Sequence, residues 1–261
     1  MIQLSDVTRR FGCKEVLRSL NFELRPGEVS GLLGHNGAGK TTTLRLITGL
    51  LGPSAGSISR PPDFKRRTGF LPDEPFLFDY LTGREMLYFM GALYGLPRTA
   101  IRERVQRLLG LFELDREADQ LLKAYSRGMR RKVSLIGSIL HDPEYWLLDE
   151  PTESLDPLAV KNLKDLVRLR RSRGGAILIS THQLPLVESL CDRMLVLHHG
   201  NLIFDGSMEQ MQSVVNGRST LEEVYLHLLS ACSAGLHPLP GTSPEAEINL
   251  QATVPGPASP A

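Results

Sequence analysis

Residues 34–41 read "GHNGAGKT", preceded by the apolar run "VSGLL" (29–33) and followed by "TTLRLITGLL" (42–51). The run predicts a buried strand, and the later Leu44, Ile47, Leu50 and Leu51 recur at helical spacing, so strand, glycine-rich loop and helix follow one another. That context gives the G-x-x-x-x-G-K-[ST] pattern its meaning. Gly34, Gly37 and Gly39 allow backbone dihedrals that other residues resist, so the amides of His35, Asn36, Ala38 and Thr42 can also turn toward one anion. Lys40 supplies a point charge for outer phosphates, Thr41 a hydroxyl for Mg²⁺, and the helix start its positive end. A site for a nucleoside triphosphate is expected.

Further along, "YWLLDEP" (145–151) reads as a second buried strand that projects Asp149 and Glu150 from its end. Two acids at such a place need an interaction to offset desolvation. Asp149 suits Mg²⁺ through its water shell, and Glu150 suits a base that orients and deprotonates water. Between and after these motifs the chain alternates in character. "IQLSDVTRRFG" and "EVLRSLNFELRPGEVSGLLG" alternate apolar and polar residues, which predicts an N-terminal β layer. Three helical patterns, "LTGREMLYFMGALYGL", "AIRERVQRLLGLFEL" and "RGMRRKVSLIGSILHD", follow without intervening strands and predict a helical lobe at about residues 79–140. "YWLLDE" and "AILIST" flank the helical "PLAVKNLKDLVRLRRSRG", the rhythm of a parallel sheet with crossover helices.

Bulk properties exclude several classes. The 261 residues are 41% hydrophobic and 23% charged, with a formal net charge of +1, so no global field draws the chain to nucleic acid or anionic lipid. Cys13, Cys191 and Cys232 stand far apart with no C-x-x-C pair, which argues against a disulfide framework or zinc finger. Neither a signal segment nor an apolar stretch of membrane-spanning length is visible, so a cytoplasmic chain is expected. A domain over residues 1–231 is expected, then a disordered tail over 232–261, rich in Pro, Gly, Ser and Ala.

Taken in order, "GHNGAGKT", "FLPDEP" (70–75), "YSRGM" (125–129), "WLLDEPTESLDP" (146–157) and "ISTHQL" (179–184) resemble the nucleotide-binding subunits of ABC transporters over residues 2–229. The resemblance implies an α/β fold: a P-loop NTPase (RecA-like) parallel core with an antiparallel β layer and a helical subdomain. It also implies ATP and Mg²⁺ as cofactors. In that family the segment before the Walker B strand is commonly Leu-Ser-Gly-Gly-Gln and contacts ATP on the opposite subunit; here Ser126 and Gly128 remain, and Arg127 and Met129 replace the first glycine and the glutamine. Ser126 also suits a helix N-cap. The cations Arg127, Arg130, Arg131 and Lys132 are then expected partly as a solvated face and partly as local positive potential.

By the same resemblance Asp156 belongs to the D-loop, which couples two ATP sites, and His182 holds the switch position at the γ-phosphate. Phe11 stands either where an aromatic stacks on adenine or as a buried phenylalanine of the β layer. Asp73 occupies a position where the family usually has glutamine near Mg²⁺. The implied partners are a second nucleotide-binding domain, arranged head to tail as a homo- or heterodimer, and a separately encoded transmembrane permease. That permease would hold the chain peripherally on the inner face of the cell membrane. The aromatics of "PFLFDYLTGREMLYFMGALYG" (75–95) divide between lobe core and a groove for a helix of that permease. Modified signature and Asp73 together look more like ATPases paired with ABC-2 type exporters. The rival, a soluble ABC-type ATPase acting on DNA or ribosomes, usually carries tandem domains or long coiled-coil insertions, and neither is visible here.

Overall fold

Two sheets and a helical lobe meet around the phosphate loop, in a computed structural model that describes residues 1–213 and 220–233. Strands β1 (Ile2–Phe11), β2 (Lys14–Leu24) and β4 (Ala55–Ser59) form an antiparallel layer in the order β2-β1-β4. The second sheet contains β3 (Val29–Leu33), β5 (Thr68–Leu71), β6 (Tyr145–Asp149), β7 (Ala176–Thr181), β8 (Arg193–His198) and β9 (Asn201–Ser207). Its order is β5-β6-β7-β3-β8-β9, parallel except for the antiparallel edge strand β9.

Helix α1 (Lys40–Thr48) packs beneath the β layer, while α2 (Gly83–Leu93), α3 (Arg98–Leu111) and α4 (Arg127–Ile139) make the lobe. Crossover helix α5 (Pro157–Ser172), α6 (Leu184–Leu190), α7 (Met208–Ser213) and α8 (Leu221–Ser233) complete the described chain. Among the described residues no helix is long and apolar enough to cross a membrane.

Strand β6 shows why its sequence reads as a continuous apolar run: it is covered on both faces. Tyr145 and Leu147 point into a core shared with the β layer and α1, and Trp146 and Leu148 point into the core of the lobe. Trp146 is fully buried, and its indole N–H donates to Ser138 Oγ of α4 at 2.9 Å, which pins the lobe to the strand carrying Asp149.

The structure departs from the sequence reading in three places. Helix α1 ends at Thr48, because Gly49 adopts φ 78 and returns its N–H to the Leu46 carbonyl. Leu50 is therefore exposed and outside the helix, although Leu44 and Ile47 are buried as expected. Edge strand β4, "AGSIS", carries no apolar alternation and is held by backbone pairing to β1. Its Gly56 (φ 78) lies so close to β1 that a Cβ would sit 2.2 Å from the Asp6 carbonyl oxygen, so only glycine fits. Helix α8 continues to Ser233, past the boundary expected at 231, and the expected disorder of the tail falls, from residue 234 on, outside the described residues.

Candidate functional site

Strand β3 delivers Gly34 into a bend against β8, where a Cβ would meet the Leu197 carbonyl oxygen at 2.5 Å. Gly39 serves as N-cap of α1 at φ 115, and a Cβ there would strike Leu17 at 2.4 Å. Glycine is thus required at both ends of the loop, and α1 begins with no side-chain cap on its orphan N–H groups. Those amides and the helix dipole make an anion site. The Lys40 ammonium donates to the Gly34 carbonyl at 2.7 Å and lies 3.2 Å from Glu150 Oε1, so a buried charge is paired at the mouth of the cleft.

The end of β6 places the two acids differently. Asp149 is fully buried; Ser180 Oγ donates to its Oδ1, and its Oδ2 has no partner. Burial pushes its pKa up from the ordinary 3.8, against the hydrogen bonds from Ser180 and Thr41 that pull it down. A shielded carboxylate oxygen of raised basicity beside the Thr41 hydroxyl suits a hard divalent cation, so the residues fit Mg²⁺. Glu150 takes φ 44, a left-handed conformation unusual for a glutamate, fixed by its N–H bond to the Ser180 carbonyl at 2.9 Å. Its side chain is aimed at Lys40 and at His182, whose Nδ1–H donates to Oε1 at 3.0 Å. Glu150 Oε2 remains buried without a partner.

The cleft brings His35, Asn36, Gly37, Gly39, Lys40, Thr41 and Thr42 together with Asp73 and Glu150, and adds Lys14, Val16 and Glu153. Gly34 and Ala38 are buried beneath it, Asp149 lies behind Thr41, and His182 reaches it through Glu150. Ser126, Gly128 and Asp156 are not in its lining. Ser126 caps α4, its Oγ accepting from Met129 N at 3.3 Å, and a Cβ on Gly128 would meet the Ser154 carbonyl at 2.8 Å. Asp156 caps α5 through Ala159 N at 2.8 Å and pairs with Lys132 at 2.6 Å. Phe11 is outside the lining and 46% exposed, with the Arg9 guanidinium 4.5 Å from its ring centroid, which overturns the buried alternative.

The basic stretch 127–132 is also corrected. Of its four cations only Arg127 stands largely in solvent. Arg130 pairs with Asp79 at 2.7 Å, Lys132 with Asp156, and Arg131 is 2% exposed. The Arg131 guanidinium donates to the carbonyls of Pro72, Asp73, Asp149 and Glu150, so it ties the Asp73 loop to the acidic loop. Sequence reading missed this residue, since spacing placed it on a polar face; Arg at that position of an otherwise amphipathic helix gives no sign of burial. Lys14, Val16 and Glu153 were also missed, and of these Glu153 had only the acidic "DEPTE" run as a signal.

Residues 17–153 match the family described as ABC transporter. The chain is 36% identical over 224 residues to the ABC transporter ATP-binding protein NatA of Bacillus subtilis, covering 81% of this chain and 91% of the relative. It is 38% identical over 214 residues to the Nod factor export ATP-binding protein I of Burkholderia lata, covering 79% and 70%. Among solved structures, the ATP-binding subunit of an ABC transporter superposes with a TM-score of 0.83 at 32% identity, covering 88% of this chain and 99% of that one. A dimeric bacterial ABC transporter cassette shares the fold with a TM-score of 0.72 at 23% identity, covering 80% and 99%. With a glycine-bounded phosphate loop, paired Lys40 and Glu150, and this likeness along most of its length, the chain belongs to the ABC transporter family as one of its ATP-binding, ATP-hydrolysing cassettes.

Proposed function

We propose that the chain powers a separate transmembrane permease, as an exporter subunit that works in a head-to-tail dimer of cassettes. The observation that carries the dimer is the division of the site: Ser126 and Gly128 stand outside the cleft that holds the phosphate loop. One subunit's cleft would receive ATP, and the α4 N-terminus of the other, with Ser126 and Gly128, would close over the phosphates. Asp156 fastens that α4 to the loop following Glu150, which links the two sites mechanically.

Within the cleft, the loop amides and Lys40 would hold the β- and γ-phosphates. Thr41 and Asp149, with Asp73 nearby, would hold Mg²⁺, whose charge neutralises the phosphate oxygens. Glu150 takes the proton of the attacking water on its unpartnered Oε2, and His182, oriented by its Nδ1–H bond to the same carboxylate, steadies the γ-phosphate through its other nitrogen. Phe11, exposed on the hairpin beside Lys14 of the cleft, is proposed to stack on adenine.

Export rather than import rests on likeness to the Nod factor export protein. The permease reading is supported by exposed Phe76, Phe78 and Tyr80 before α2 and Phe89 on it, of which Phe78 and Phe89 pack together and none lines the nucleotide cleft. Through such a partner the chain would sit at the inner face of the cell membrane. The test is purification of the tagged chain from detergent-solubilised cells of its source. Co-purification of a polytopic membrane protein in near-equal amount is expected; recovery of ribosomal or DNA-repair proteins instead would overturn the transport reading and favour a soluble ABC-type ATPase.

A further inference from the structure

At the phosphate loop, beside the turn from β8 into β9, three imidazoles converge. His35 comes from the loop, and His198 and His199 come from the end of β8 and the turn into β9; one ligand nitrogen of each lies within 4.8 Å of the others. Backbone geometry brings them there. The two-residue turn places His199 at φ 45 and Gly200 at φ 80, the left-handed pair that a tight hairpin requires. Gly200 N–H donates to the Ala38 carbonyl at 3.1 Å, fastening the turn to the phosphate loop.

The rings pack edge to face, with centroids 5.3 Å apart for His35 and His198, 5.0 Å for His35 and His199 and 4.2 Å for His198 and His199. Ring packing accounts for the apolar edges. It leaves His35 Nε2 and His198 Nδ1 shielded from solvent without a hydrogen-bond partner. Buried polar nitrogens without partners are costly, and an ion is one of the few things that relieves them. His35 is already oriented as metal-binding histidines are: its Nδ1–H donates to the Asn36 carbonyl at 2.7 Å, which leaves the Nε2 lone pair free.

We propose that His35, His198 and His199 form a binding site for a zinc-type divalent ion that fastens the β8–β9 turn to the phosphate loop. Three imidazoles select Zn²⁺ and its neighbours over Mg²⁺, which prefers oxygen and suits the acids across the cleft. Zn–N bonds of about 2.0–2.1 Å in a tetrahedron bring the nitrogens to about 3.4 Å from one another, with water as fourth ligand. Exposed His199, at the tip of the turn, supplies that closure by side-chain rotation. Because His35 belongs to the phosphate loop, the ion and the nucleotide each change the other's affinity by one common factor.

The experiment is calorimetric titration of the untagged full chain with Zn²⁺, paired with Co²⁺ absorption and thermal unfolding. One equivalent at micromolar Kd or tighter is expected, with a Tm rise of about 5–10 °C at 100 times Kd. His198→Asn and His199→Asn should each weaken binding about tenfold or more, a loss at least as large as that on removing outer-shell partners. Asn tolerates the left-handed conformation at 199, and an unchanged metal-free Tm shows that each variant is folded. Glu150, Glu153 and His182 also approach within 4.8 Å of one another, so Glu153→Gln runs in parallel and should retain the bound equivalent. No binding below about 100 µM, binding in both histidine variants as tight as in the unchanged chain, or loss in Glu153→Gln alone would each overturn the site. ATP affinity measured without Zn²⁺ tests the nucleotide site separately.

Discussion

At the scale of single residues, the neighbouring acids of β6 differ in what their surroundings ask of them. Asp149 is buried with one oxygen unpartnered, and burial raises its pKa, so the folded state binds its proton more tightly than the unfolded chain. Stability from this group is therefore full below the unfolded value near 3.8 and declines as pH rises through the folded value. Asp149→Asn removes that slope. In the metal-free protein at neutral pH it should raise Tm, because the cost of burying the ionised carboxylate is removed. The gain should vanish at low pH, where aspartate is also neutral, and Mg²⁺-dependent turnover should be lost at every pH; thermal melts across pH read the first and phosphate release the second. Glu150→Gln acts on chemistry instead. The amide keeps the size of the side chain and removes the proposed base, so turnover should fall about 10²–10⁴-fold while ATP titration shows retained binding. Retained full turnover would remove Glu150 from the mechanism.

At the scale of elements, α4 decides how the two loops of the site sit, and Arg131 is the means. Its guanidinium meets four backbone carbonyls, two before α2 at Pro72 and Asp73 and two at the end of β6 at Asp149 and Glu150. Arg131→Met keeps the apolar stem and leaves those carbonyls unsatisfied. Urea unfolding should show a loss of about 3–5 kcal/mol, the range for removing one partner of a buried charged cluster, and the residual folded protein should have lower kcat with KM for ATP less affected. A second element-scale feature is His141, stacked on Tyr94 at 3.5 Å at the junction of α2 with the segment after α4. Burial lowers its pKa to about 4 from 6.5. The neutral ring is the folded form, so stability is complete above pH 6.5 and is lost as pH falls toward 4; His141→Leu should flatten that part of the stability profile. These two residues also show where reading the sequence stops. The phosphate loop, the two acids and the strands that carry them were legible because local pattern and chemistry coincide: glycines, Lys40 and Thr41 lie in eight consecutive residues. Edge strand β4 was not, since "AGSIS" has one half-buried apolar residue and is specified by its partner's backbone. Arg131 and the cluster of His35, His198 and His199 were not, since their contacts span distant segments that only the fold brings together.

At the scale of the whole molecule, the surfaces divide by purpose. The cleft is charged, Ser126 and Gly128 at the start of α4 lie outside its lining, and the segment from 75 to 93 exposes aromatics that belong to neither. A chain with net charge +1 has little long-range field with which to steer a partner, so recognition must come from local complementarity. Phe76 and Tyr80 are each 80% exposed, Tyr80 with the Lys123 ammonium 5.4 Å from its ring centroid, and Phe78 meets Phe89 with ring centroids 5.7 Å apart, so the patch has exposed tips and a paired base. Large exposed aromatics of this kind anchor interfaces. Phe76→Ser with Tyr80→Ser removes the tips and spares the base. The isolated chain should keep its Tm within about 1–2 °C, because exposed side chains contribute within about 0.5 kcal/mol, and its basal ATP hydrolysis should be unchanged. In cells of its source, the yield of the co-purifying membrane protein should fall at least tenfold, the consequence of losing hot-spot anchors worth about 2 kcal/mol or more. If the double variant instead loses basal hydrolysis while keeping its membrane partner, the aromatics serve the nucleotide site through the Asp73 loop, and the docking surface must be sought elsewhere on the lobe.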